Sequence, residues 1–195
     1  LDPSYTTMAE ILRDAGYDTA FVASHLFLNA GHGLQQGFTR VDTRILQDEL
    51  AITSPAITDW GLKWLEDKAA VRDGIPWFLW LHYFDPHAPY LLHEGVSENF
   101  GTEKEIDKYD GEIAFTDQHL GRLLDAFERL GFAANTIVVI VADHGEEFGE
   151  HGHQGHGYDL HEEVVHVPLA LRVPGIVPRR VSGAVPTVDL MPTLL

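Results

Sequence analysis

The hydrophobic positions of this chain fall into helical stripes alternating with short, continuous apolar runs. Met8, Ile11, Leu12 and Ala15 recur at helical spacing and predict a short helix over 5–15, ended by Gly16. The run 19–23 (TAFVA) is apolar and bounded by polar residues, which suits a buried strand. Residues 24–52 read as loop, punctuated by Gly31, Gly33 and Gly37. Ser54-Pro55 then predicts a helix start, with Ser54 as the cap and Pro55 in the first helical position. Ile57, Trp60, Trp64 and Leu65 share one face of that helix.

A second buried strand is predicted over 77–83 (WFLWLHY), and a long helix over 107–130. The helix presents Ile113, Leu120, Leu124, Phe127 and Leu130, and Gly131 ends it. The β-branched run 136–141 (TIVVIV) predicts a third buried strand and 167–173 a fourth, before a Pro- and Gly-rich turn. Helices alternating with continuous apolar strands imply an α/β fold, a mainly parallel sheet covered by helices on both faces. No internal repeat divides the chain, and 1–195 reads as a single domain.

Composition narrows the function classes. With 45% hydrophobic residues the chain can bury a core, which excludes wholesale disorder. No run approaches the ~18 apolar residues of a membrane span. Thirteen Lys and Arg against 30 Asp and Glu give a formal charge of -17, which argues against a nucleic-acid partner. The same charge suits a protein that offsets part of its acidity with a divalent cation. The absence of Cys excludes a disulfide framework, a thiolate zinc site and a Cys nucleophile within these residues. The chain opens at Leu1 without Met and stops at Leu195 inside Pro-Thr-Leu-Leu, so it is expected to be a segment cut at both ends.

The acidity is concentrated. Residues 142–163 (ADHGEEFGEHGHQGHGYDLHEE) hold seven acids, five His and no Lys or Arg. Asp143-His144 follows the third strand directly, where a carboxylate and a neutral imidazole are ordinary ligands for a divalent ion. Gly145 permits the chain to turn there. His151, His153 and His156 lie among glycines on a loop, with one or two of them expected to be functional. Glu146, Glu147 and Glu150 are expected to form a helical turn with a solvated outer face. His87 stands between Pro86 and Pro89, a stiff segment after a strand that suits an anion-binding or general-acid role. His161 and His166 fall five residues apart rather than the four of a metalloprotease helix, and no nucleophile elbow or P-loop is present.

The chain resembles a sulfatase of the alkaline phosphatase superfamily along nearly its whole length. The resemblance rests on 7–20 (TMAEILRDAGYDTA), on 84–90 (FDPHAPY), above all on 135–152 (NTIVVIVADHGEEFGEHG), and on 188–195 (VDLMPTLL). It implies that Asp143 and His144 are the later pair of ligands to one divalent metal, calcium first, with manganese, magnesium or zinc as the other choices. It implies that His87 contacts the anionic group of the substrate, and that His156 stands where many sulfatases place a substrate-binding Lys. The family's Cys/Ser-x-Pro-x-Arg nucleophile motif and its early acidic ligands have no counterpart here, and Ser24-His25-Leu26 replaces a common Lys-x-His.

The leading expectation is therefore a metal-dependent sulfuric ester hydrolase acting on a small anionic ester. The segment alone is expected to be inactive, to bind divalent ions weakly, and to self-associate through exposed sheet edge. A phosphodiesterase, phosphonate monoester hydrolase or phosphoethanolamine-type transferase of the same superfamily is the second expectation, favoured by Asp-His over Asp-Asn. A non-catalytic metal-binding domain is the third. Relatives of this kind are often exported or periplasmic, but the residues here carry no address.

Overall fold

The computed structural model describes residues 1–28, 30–43, 52–71 and 73–195. Helix α1 (Met8–Asp14) is followed by strands β1 (Asp18–Val22) and β2 (Arg40–Asp42), helix α2 (Ser54–Val71) and strand β3 (Trp77–Leu81). The long helix α3 (Glu105–Arg129) leads to β4 (Val138–Val141), the short strands β5 (Glu147–Phe148) and β6 (Gln154–Gly155), helix α4 (Glu162–Val165), β7 (Leu169–Arg172) and α5 (Leu190–Leu194). No described helix is long and apolar enough to cross a membrane.

The α/β reading is correct. Strand β1 lies between β2 and β3 in a parallel sheet, with Phe21 opposite Val41 and Trp80. Period-2 alternation sends neighbours of β1 to opposite faces. Ala20 faces Trp64 and Leu65 of α2 and Phe127 of α3, with Trp77, Leu79 and Val138 packed around them. Phe21 faces the other way, where its ring stacks 5.2 Å from Phe38 and meets Trp80 at 5.0 Å.

Several expectations need correction. Strand β2 falls inside the segment read as loop; only three residues long, it is too brief for a period-2 signal. The remainder of that segment, 44–51, lies outside the described residues. On α1 the buried residue is Ala9, while Ile11 is 37% exposed. Thr7 rather than periodicity sets where α1 begins: its Oγ1 accepts the Glu10 N–H and the Glu10 carboxylate accepts the Thr7 N–H.

The strands predicted as buried beyond β1 are only partly so. β4 pairs antiparallel with β7, Val138 opposite Arg172 and Val141 opposite Leu169, and among the described residues it makes no ladder with β3. Trp80, Val141 and Leu171 are therefore each about two-fifths exposed. A continuous apolar run records that a strand face can be buried; it does not supply the element that covers it.

Candidate functional site

The site begins at the N-terminus of α2. Ser54 is not the helix cap that the sequence suggested. The carboxylate of Asp85, arriving from the end of β3, accepts the N–H groups of Thr53 (3.1 Å) and Ser54 (2.7 Å). A carboxylate at a helix N-terminus satisfies donors that the helix leaves free and complements its dipole. Ser54 instead turns its hydroxyl to Thr116 on α3, and Thr116 donates to the Asp85 carbonyl. The start of the segment carrying His87 is thus bolted to two helices.

The other end is held by Glu112 of α3, a buried side chain whose Oε1 accepts the Leu91 N–H at 2.8 Å. The His87 backbone N–H faces this carboxylate as well and favours its charged form. Burial, with the nearby Asp85 charge, pushes Glu112 up to about 7 despite these hydrogen bonds. Asp85 and Glu112 together clamp 85–91, and both peptide bonds preceding its prolines are cis.

After β4, the Asp143 Oδ1 accepts the His144 N–H, and its Oδ2 lies 3.9 Å from His144 Nε2. The following turn depends on Gly145 for a reason other than backbone freedom. Its N–H bonds to the Val164 carbonyl, and a Cβ at this position would run into the Glu163 carbonyl. Glu146 and Glu147 then leave the expected solvated turn and are buried, with Glu147 entering the β5–β6 hairpin. Of the three acids only Glu150 is exposed. Two-residue strands give no periodic signal, so the hairpin was not legible in the sequence.

The four predicted residues converge. The His144 and His156 rings stack at 3.8 Å, and His87 meets His156 edge-on at 5.5 Å. Each imidazole has its Nδ1 against an acceptor oxygen: His87 on the Ala88 carbonyl (2.7 Å), His144 on the Gly145 carbonyl (2.9 Å), His156 on Glu146 Oε1 (2.9 Å). Such oxygens only accept, so Nδ1 carries the proton in each ring, leaving every Nε2 for a ligand.

Three neighbours escaped the sequence reading as site residues. Glu146 bridges His156 and the Tyr90 hydroxyl, which donates to its Oε2 at 2.6 Å. Burial and the Glu146 charge push the Tyr90 phenol well above its ordinary range. His82 donates from Nδ1 to Ser24 Oγ, which itself donates to the His82 carbonyl. Burial drives His82 down to about 4, although the Asp143 charge opposes the shift. His25 stacks on Phe84, 6.2 Å from His87. A cleft of about 270 Å³, lined by Ala88, Tyr90, Glu146, Phe148 and His156, adjoins the cluster. His151 and His153 lie elsewhere, stacked on His161 and Tyr158 respectively.

Asp143 and His144 fit a divalent ion. The His144 Nδ1–H is anchored on a carbonyl, the usual outer support of a metal-bound imidazole. The 3.9 Å between Oδ2 and Nε2 is within the span of two bonds of roughly 2.3 Å each.

The Sulfatase family model matches residues 1–195, the whole chain. The chain belongs to the sulfatase family. It is 28% identical to bovine (Bos taurus) arylsulfatase K over an alignment covering 100% of this chain and 48% of that protein. It therefore spans about half the length of that relative. Its fold matches an alkaline phosphatase superfamily protein from Vibrio parahaemolyticus with TM-score 0.74 at 20% identity, over 97% of this chain and 46% of the other. It also matches the soluble domain of a lipooligosaccharide phosphoethanolamine transferase from Neisseria meningitidis, with TM-score 0.63 at 17% identity, over 86% of this chain and 54% of the other. Sulfatases are generally dependent on a divalent metal, in keeping with the donor pair at Asp143 and His144.

Proposed function

We propose that the whole protein hydrolyses sulfuric esters and that this chain supplies part of its catalytic centre. The observation that carries the reading is the convergence of three imidazoles, each with Nδ1 engaged and Nε2 left for a ligand, beside the carboxylate of Asp143. Asp143 Oδ2 and His144 Nε2 would hold the divalent ion. Calcium is the first choice on family membership alone, with manganese, magnesium or zinc as the others; the Asp143 carboxylate suits any of them, and the His144 imidazole suits zinc. When bound, that ion polarises the ester oxygens and offsets developing negative charge.

The chain's own residues do the rest. His87, held between its clamped ends, donates to the anionic oxygens from Nε2 in its doubly protonated form. His156 in its doubly protonated form donates from Nε2 toward the oxygen of the departing alcohol. Glu146, steadied by the Tyr90 hydroxyl, keeps the His156 ring in one orientation, so the donor is placed before substrate arrives. His82, held neutral by burial, leaves the positive charge at this end of the sheet to the ion and the substrate-facing imidazoles.

A phosphoryl ester is the second reading, favoured by the Asp143-His144 pair and by His156 in place of Lys. Paired turnover of an aryl sulfate and the matching aryl phosphate by the whole protein separates the two. A kcat/KM higher for the sulfate supports the sulfatase reading, and a higher value for the phosphate replaces it.

A further inference from the structure

Beside the site just described, Glu147, His151 and His161 each offer one ligand atom, and these atoms all lie within 4.8 Å of one another. None of the three belongs to the Asp143–His144 pair. Glu147 is 1% exposed, and its Oε1 has no hydrogen-bond partner. An uncompensated buried carboxylate oxygen is costly, which calls for a cation or donor facing it. The nearest candidate is His151 Nε2, at 3.9 Å. The same nitrogen lies 3.2 Å from Glu163 Oε2, and the His151 and His161 rings stack at 3.6 Å. Asp159 adds a further buried carboxylate oxygen without a partner, 3.8 Å from His161 Nε2.

We propose that Glu147, His151 and His161 form a second metal site, for a divalent transition ion of the zinc class. Two imidazoles and one carboxylate are a zinc donor set, and neither calcium nor magnesium shares its preference for nitrogen. Glu163 stands where it can complete the coordination. The stacked rings cannot both aim their lone pairs at one ion, so binding turns them about χ2, a motion their exposed positions allow. His151 Nε2 gives up its proton to solvent in exchange for the metal.

The consequence is mechanical. Glu147 belongs to the β5–β6 hairpin, while His161 opens α4, so the ion ties together the two ends of the loop that carries His156. Backbone bonds from Gly145 to Val164 and from Glu146 to Glu163 already bring these ends together, and the metal locks them. The site thus acts as a staple on the catalytic loop. It stands whether the substrate is a sulfate or a phosphate ester.

Titration of the purified chain with Co²⁺, followed by its visible ligand-field absorption and competed with Zn²⁺, tests the proposal. The expected result is a tetrahedral-type band that persists in the Asp143→Ala/His144→Ala chain and disappears in the His151→Ala/His161→Ala chain. Glu147→Gln preserves side-chain shape and is expected to weaken Co²⁺ binding at least tenfold, since even outer-shell changes cost about 10–100-fold. Far-UV circular dichroism identifies any variant that fails to fold, in which case the Glu147→Gln titration decides. The proposal is overturned if wild type shows no such band, if the band survives loss of both His151 and His161, if it vanishes with Asp143 and His144, or if Glu147→Gln binds Co²⁺ as wild type does.

Discussion

Replacing Glu112 with Gln should change how stability depends on pH. The Glu112 side chain is almost wholly buried, its Oε2 has no partner, and burial raises its pKa from 4.5 to about 7. Between these values the folded chain holds a proton that the unfolded chain has released, so wild-type stability falls as pH rises. The penalty is small below pH 4.5 and fully developed above about 7. At about 1.4 kcal/mol per pKa unit, it amounts to about 3 kcal/mol, of which about 2–3 kcal/mol accrues between pH 5 and 8. The amide introduced by Glu112→Gln keeps an acceptor for the Leu91 N–H and has no such ionisation. Urea unfolding of both chains at pH 5 and pH 8 measures the effect. The variant should gain about 2–3 kcal/mol on wild type over that interval. Buried His93, whose pKa is lowered by burial, has its Nε2 3.7 Å from Glu112 Oε1, so the comparison is made in a His93→Gln background that removes its titration from both chains. A wild-type-minus-variant difference that does not move with pH would refute the reasoning that Glu112 is held at a desolvated, proton-binding position.

Other outcomes follow from the same geometry. Glu146→Gln in the whole protein should lower kcat about 10–100-fold with the fold intact, because it loosens His156 rather than removing it; kcat unchanged within twofold would remove Glu146 from the site. His82 should stay neutral as pH falls, its imidazole resonances moving in NMR near pH 4 rather than near 6.5, and ordinary titration would show that its ring is solvated. Phe21→Ala should cost about 3–5 kcal/mol in chemical denaturation, since the ring is fully buried between Phe38 and Trp80. A loss below about 1 kcal/mol would mean that the sheet face beneath it repacks freely.

Legibility in the sequence tracked the range of the interactions. β1, α2, α3 and β4 were visible because each repeats a pattern over several residues, and Gly16 and Gly131 mark real ends, both with positive φ. His87, Asp143 and His144 were visible because they follow strands and match family motifs, and His156 because it stands where the family places a Lys; the fold brings the four near one another. What stayed hidden depends on partners distant in sequence. Asp85 caps α2 from 31 residues away, a contact that Ser54-Pro55 disguised as a local cap. Glu146 looked like any acid in an acidic loop until the hairpin buried it against His156 and Tyr90. Trp80, Val141 and Leu171 looked like core because their runs are apolar, yet exposure is decided by what lies across the face.

Asp143 and His144 are proposed to hold the metal of a sulfatase centre. The most direct test is the kcat/KM of the whole protein on an aryl sulfate with Asp143→Ala, at saturating divalent ion. The expected loss is more than about a hundredfold, beyond the cost of disturbing an outer-shell partner. Activity close to wild type would contradict that assignment.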